Sequence, residues 1–307
     1  MIRYNPKSWF SLLFDVYSRY VMRSLLPLIG FVAVSTTLSC FIVLDVLELD
    51  FEPTIGLHSI LGIVLGLFLV LRTNTAYDRW WEGRKQWGQL VNDCRSLAMK
   101  INAFIPEGRA DDRDFYQKMI PNMVVAMKEH LRDSTRIGEM DFANEQQMSI
   151  IARSKHRPNI IGKLMYERIT RLRKEDVISA DQLFLVDKEL RGFANILGAC
   201  ERIKSTPIPF SYSMFIKKFL LVYAITLPIG FITSIGYWTI PLVLLAFYFL
   251  ISIELISEEI EDPFGKDLND LPLNELTIKI KENVNEIMEA NLVDPQPVPL
   301  STFSDRD

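Results

Sequence analysis

Lysine and arginine are missing from two long stretches of this 307-residue chain, and the gaps organise the rest of it. None of the 34 basic residues falls in 24–71 or in 219–265, while 26 crowd into 72–218. The first gap holds an uncharged run from Ser24 to Leu44, four carboxylates (Asp45, Glu48, Asp50, Glu52) and a second uncharged run from Pro53 to Leu71. The other gap is uncharged for 35 residues, from Phe219 to Ile253. A helix needs about 20 apolar residues to cross the hydrocarbon core of a bilayer, so the longer run is a hairpin rather than a single crossing. Four transmembrane helices are predicted, over about 24–47, 53–71, 219–235 and 238–256.

Other absences narrow the function. The three cysteines, Cys40, Cys94 and Cys200, have no CxxC spacing, which excludes a disulfide framework and a zinc knuckle. There is no GxSxG, P-loop or HExxH, and the three histidines, His58, His130 and His156, are far apart in sequence. This is not the sequence of an enzyme. No useful strand alternation occurs, so the chain reads as all-α.

The charge that is present is sorted by segment. Residues 72–218 carry a net +7 and residues beyond 253 a net −10, a pattern that suits intramolecular matching better than nucleic-acid binding. Arg19 and Arg23 precede the first span, Arg72 and Arg79 follow the second, and Lys217 and Lys218 precede the third. Neither opposite loop carries a positive charge, so both termini and the middle region are expected in the cytoplasm of an inner-membrane protein. The first span starts too late and runs too long for a cleaved signal. An aromatic segment at helical spacing precedes it (Trp9, Phe10, Leu13, Phe14, Tyr17, Tyr20), and it reads as a retained anchor.

Within 72–218 apolar stripes at spacings of three and four predict helices. One carries Trp87, Leu90, Val91, Cys94, Leu97, Ala98 and Ile101 and continues from the second span. Another carries Phe115, Met119, Met123, Met127 and Leu131, and a third Leu183, Val186, Leu190, Phe193, Ala194 and Leu197. Residues 133–158 are polar and poorly patterned. Residues 1–291 form one expected unit, with 292–307 a flexible, Pro-rich tail.

The second span is the most informative. Gly62 and Gly66 make a GxxxG pair that lets another helix backbone approach. On another face Ile60, Val64 and Phe68 stack four apart, a line that suits lipid or core packing as well as any function. After the span comes Arg72-Thr73-Asn74, then Tyr77-Asp78-Arg79-Trp80-Trp81-Glu82-Gly83-Arg84, which would also serve as an interfacial belt. This string resembles the RTNxxYDRWWEGR signature of the bacterial bestrophins. Glu201-Arg202-Ile203 with Thr206-Pro207-Ile208-Pro209, and Ile260-Glu261-Asp262-Pro263-Phe264-Gly265, agree with it.

The resemblance implies a homopentamer of helical subunits around an axial pore, with the second span of each lining a hydrophobic neck at Ile60, Val64 and Phe68. Such rings gate by closure and dewetting, not by coordination. It also places a second aperture at Ile178, although Ile178, Ser179, Gln182 and Leu183 together make a capping box with a hydrophobic staple. Animal relatives clasp calcium after Pro-Phe-Gly. Here only Asp267 and Asp270 match, interrupted by Lys266 and Leu268, so no cofactor is expected and a solvated loop is favoured over calcium. The expected function is passive conduction of monovalent ions, leaning to cations because of the four outer carboxylates. An anion (chloride) channel is the alternative, and a secondary transporter or membrane scaffold a more distant one.

Overall fold

The computed structural model describes residues 16–49, 55–142 and 145–289. The aromatic positions 9–14, Asp50, Glu52 and the tail lie outside them. The described residues fold into helices joined by short turns, with no strand among them. They divide into two compact units: residues up to Lys85 with Cys200–Leu271, and Gln86–Ala199 with residues from Pro272 on.

The first unit is the membrane bundle. Its helices are α1 (Val16–Phe41), the first part of α2 (Ile55–Phe104), the end of α6 (Ala180–Ser205), α7 (Phe210–Thr226) and α8 (Thr239–Glu261). Four of them are long and apolar enough to cross a membrane. Their core repeats one device, an apolar line at spacing four: Leu65 and Leu69 on α2, Ile216, Leu220 and Ala224 on α7, Val243, Phe247 and Ile251 on α8. Rows of this spacing form the ridges by which helices interdigitate. Phe31, Val34, Leu38 and Leu245 point outward, which is the expected arrangement where the solvent is lipid.

Two boundaries differ from expectation. The third span begins at Phe210 rather than 219, because Lys217 is carried on the helix and its Nζ binds both carboxylate oxygens of Glu258 at 2.9 Å. A lysine stem reaches a polar end while its methylenes stay in apolar surroundings. The helix stops at Thr226, ahead of Pro228, and the chain turns through Leu227–Gly230 and Gly236, whose φ of +55° suits glycine.

In the second unit the stripes of α2 and α3 (Ala110–Leu131) are buried as expected, Trp87, Leu90, Cys94, Leu97 and Ile101 on one and Phe115, Met119, Met123 and Met127 on the other. Both α9 (Leu273–Glu289) and α5 (Arg157–Lys174) pack on α3. The poorly patterned stretch nonetheless contains α4 (Glu145–Arg153). Helix α5 buries Pro158 in its first turn and then a narrow row, Ile161, Met165, Ile169 and Leu172, between basic residues, which is why its period is faint in the sequence. A side-chain amide holds the connection after α3: Asn122 donates to the Asp141 carbonyl at 2.6 Å and accepts from the Asp141 N–H at 2.9 Å.

Candidate functional site

Helix α2 has two unlike faces within the bundle. Leu65, Leu69, Arg72 and Ala76 are buried, while Leu57, Ile60, Ile63, Leu67 and Leu71 are exposed. Successive members of a row at spacing four advance by about 40° around a helix. Ile60 therefore sits near the middle of the open face (62% exposed), Val64 toward its edge (38%), and Phe68 on its flank. There Phe68 is partly buried, with its ring centroid 5.4 Å from Phe215 and 6.1 Å from Tyr212. Such a row is inclined by about 26° to its own helix axis, so a helix tilted by that amount stands the three side chains one above another.

The two glycines of the pair have unlike surroundings. A Cβ on Gly62 would lie 2.6 Å from the Tyr223 hydroxyl, whereas one on Gly66 would meet nothing within 4 Å. Gly62 makes room for a tyrosine side chain rather than for a second helix backbone.

At the basic end of the bundle the three sequence motifs converge. Arg79 donates to the carbonyls of Ile203 (2.6 Å), Glu261 (3.0 Å) and Thr206. These carbonyls lie at the ends of α6 and α8, where helices leave acceptors unpaired and carry partial negative charge. One guanidinium thus caps two helices. The Glu261 carboxylate accepts from the Ile208 N–H at 2.7 Å and pairs with Arg72 at 2.9 Å. Trp80 donates its indole N–H to the Asn269 carbonyl at 3.0 Å, so it is bonded within the protein rather than serving as a free belt residue. Gly83 is needed because a Cβ there would stand 3.1 Å from Phe264 and 3.2 Å from Pro263.

One further member of this network lies within the expected fourth span, 238–256. Glu254 is on α8, 1% exposed, facing the equally buried Arg72 at 3.5 Å. The uncharged run ends at Ile253, but the helix continues to Glu261 and carries this carboxylate inside the bundle.

The sequence profile described as Bacterial/Fungal Bestrophin protein matches residues 1–286. The chain belongs to the bestrophin family. Among its relatives, a voltage-dependent anion channel-forming protein of Nostoc sp. is 37% identical over 244 residues, covering 77% of this chain and 78% of that one. A protein of the same description from Ralstonia nicotianae is 33% identical over 233 residues, with 75% and 76% covered. A crystal structure of a bacterial bestrophin homolog from Klebsiella pneumoniae superposes with a TM-score of 0.77 at 26% identity, covering 85% of this chain and 98% of that one. As a bestrophin the chain is a membrane channel protein rather than an enzyme.

The bestrophin signature thereby acquires a physical meaning: Arg72, Arg79, Trp80 and Gly83 are the parts that join α2 to the ends of α6 and α8. The other sequence candidates lie elsewhere. Ile178 is 2% exposed, and the cap is formed, with the Ser179 N–H donating to Gln182 Oε1 at 2.8 Å and the Gln182 N–H to Ser179 Oγ at 3.1 Å. This is the capping box that the sequence predicts, with Ile178 buried in the residue before it. Asp45 accepts a hydrogen bond from the Tyr237 hydroxyl, and Glu48 follows in a left-handed conformation (φ 46°).

Asp267 and Asp270 do not present themselves as a pair. Asp267 is exposed, whereas Asp270 is 2% exposed and accepts the Asp267 N–H at 2.6 Å. Burial pushes the Asp270 carboxyl up to about 7, and the negative neighbours Asp267, Asp262 and Glu259 push the same way against that hydrogen bond. A carboxyl half-protonated near neutrality and tied to its own loop is a poor ligand for a cation that takes six to eight oxygens. Calcium and a chelator are expected to leave both conductance and thermal midpoint alike. A midpoint raised by calcium and lost in Asp270→Asn would reverse that expectation.

The thiols of Cys94 and Cys200 are buried, and burial raises both, the latter to about 12, which makes them inert.

Proposed function

We propose that this chain forms a passive ion channel, a homopentamer with one axial pore whose neck is built from five copies of Ile60, Val64 and Phe68. The observation that carries the proposal is the open face of α2: apolar side chains directed away from the subunit's own core, on a helix whose opposite face is pinned through Arg72 and Arg79. A lone subunit leaves that face unpartnered and offers no polar conduit through its apolar core. The termini and the second unit are placed in the cytoplasm of an inner-membrane protein, from the basic residues beside the span ends.

The permeant ion is taken to be an anion. Three apolar rings impose no sign of charge, and the support comes from relatives described as voltage-dependent anion channel-forming proteins. This departs from the cation lean of the sequence. The lean retains one specific support, the carboxylates of Asp45 and Glu48 near the acidic ends of the spans, which repeated around a mouth would concentrate cations.

Planar-bilayer recording of the purified protein in a salt gradient decides between the two. A reversal potential on the anion side is expected, moving further that way at low salt when Asp45, Glu48, Asp50 and Glu52 are neutralised together. Reversal at the cation potential would restore the cation reading, and saturable flux without ohmic current would indicate a carrier. Native mass spectrometry is expected to give a fivefold assembly. A stable monomer in mild detergent, with nothing larger, removes the pore between subunits.

A further inference from the structure

We propose that Arg72 and Glu254 are positioning residues for the neck: Arg72 exchanges between Glu261 and Glu254 on α8, and the exchange shifts the basic end of α2 and, with it, Phe68. The proposal rests on the neck reading above and adds what moves it.

The starting point is a buried carboxylate with poor bonding. Neither oxygen of Glu254 has a hydrogen-bond partner among the described residues, and its ion-pair partner, Arg72 Nε, is at 3.5 Å. Arg72 is committed instead to Glu261, through Nη2 at 2.9 Å, leaving Nε and Nη1 without hydrogen bonds. A buried carboxylate accepting nothing costs stability, and a residue needed only for packing would do better as a neutral side chain of the same size. Where activity needs flexibility, such a loss of stability is the recurrent cost.

The surroundings allow movement along one direction. Glu254 and Glu261 are seven residues apart, two turns of one helix and so on one face, separated by a rise of about 10 Å. One guanidinium serves both carboxylates and is nearer the second. Between them Thr73 Oγ1 meets Ser257 Oγ at 2.8 Å, and each hydroxyl also bonds the carbonyl four residues back on its own helix, to Leu69 and Ile253 at 2.8 Å. Two small side chains that keep their local bonds form a contact across which α2 and α8 can slide. Arg72 follows Phe68 by one turn of a continuous helix, so a shift at one is a shift at the other.

The test is Glu254→Gln, made in the wild-type chain and in the chain carrying Ile60→Ala, Val64→Ala and Phe68→Ala. Removing the unmatched charge leaves Arg72 with Glu261 alone. The thermal midpoint of the intact oligomer is then expected to rise, while open probability falls by about fivefold or more, the lower end of the coupling a two-state element carries. In the neck-truncated background the same substitution is expected to change little, because the rings it acts through are gone. Unchanged open probability in Glu254→Gln with the oligomer intact overturns the proposal, as does an equal fold-change in both backgrounds. If the neck truncations alone leave currents as in wild type, the neck reading fails first and the proposal falls with it. A truncated neck that opens beside an inert Glu254→Gln removes the proposal and leaves the neck standing.

Discussion

Truncating Ile60, Val64 and Phe68 together to alanine is expected to raise the channel's open probability by about tenfold or more, which asks for roughly 1.4 kcal/mol on the equilibrium between closed and open. An apolar constriction excludes ions because water leaves it, and an ion entering without water meets a large desolvation cost. In the proposed neck, removing the three side chains from each subunit would widen and wet the passage. The structure separates the individual contributions. Ile60 and Val64 lie on the open face and make no part of the subunit's core, so their truncation should alter gating without altering stability. Phe68 is the bulkiest of the three and is expected to give the largest single change in current. It also packs edge-on against Phe215, and its loss should cost the bundle about 1–3 kcal/mol. Single-channel recording beside thermal unfolding of each variant checks both parts. Wild-type currents from an intact triple variant would mean that these residues are ordinary packing.

Arg79→Ala should have the largest effect on the protein's integrity. The guanidinium supplies three hydrogen bonds to backbone carbonyls at two helix ends, and hydrogen bonds from a charged donor contribute about 1.5–3 kcal/mol each. Their joint loss also leaves the carbonyls of Ile203 and Glu261 without this donor where the helix dipoles are negative. The bond to Thr206 is exposed and contributes little, so the two part-buried bonds set an expected loss of roughly 3–6 kcal/mol, enough to remove most of the assembled protein. Arg79→Lys should rescue little, because an ammonium is a compact point charge and cannot span three carbonyls in a fork. Yield of oligomer by size-exclusion chromatography in mild detergent, with thermal midpoint, measures this. Full rescue by lysine would show that charge rather than geometry matters at this position.

Much of the architecture was legible because membrane and water select composition in opposite directions. The missing basic residues located all four spans, and the stripes of α2 and α3 were buried as their spacing required. Elements with a weak signal were missed for a physical reason. Helix α5 needs only five buried positions among its charges, and α4 exposes most of its nine residues. The fourth helix runs on to Glu261, past the expected end of its span at about 256, because a buried carboxylate is tolerated where a guanidinium meets it.

The candidate site divides in the same way. The sequence by itself determined which residues form the bestrophin motifs and which line of α2 is apolar at spacing four, since both are properties of local order along the chain. Only the tertiary structure decided what they do. It showed that Arg79 caps two helices remote from it in sequence, that Gly62 yields to Tyr223, and that Ile178 is buried beside a closed helix cap. It also brought Arg72 against two carboxylates more than 180 residues away. The reason is that a carbonyl, a glycine hydrogen or a buried charge acquires its role from whatever stands within a few ångströms of it. That distance is set by the packing of helices, which the period of a single segment does not encode.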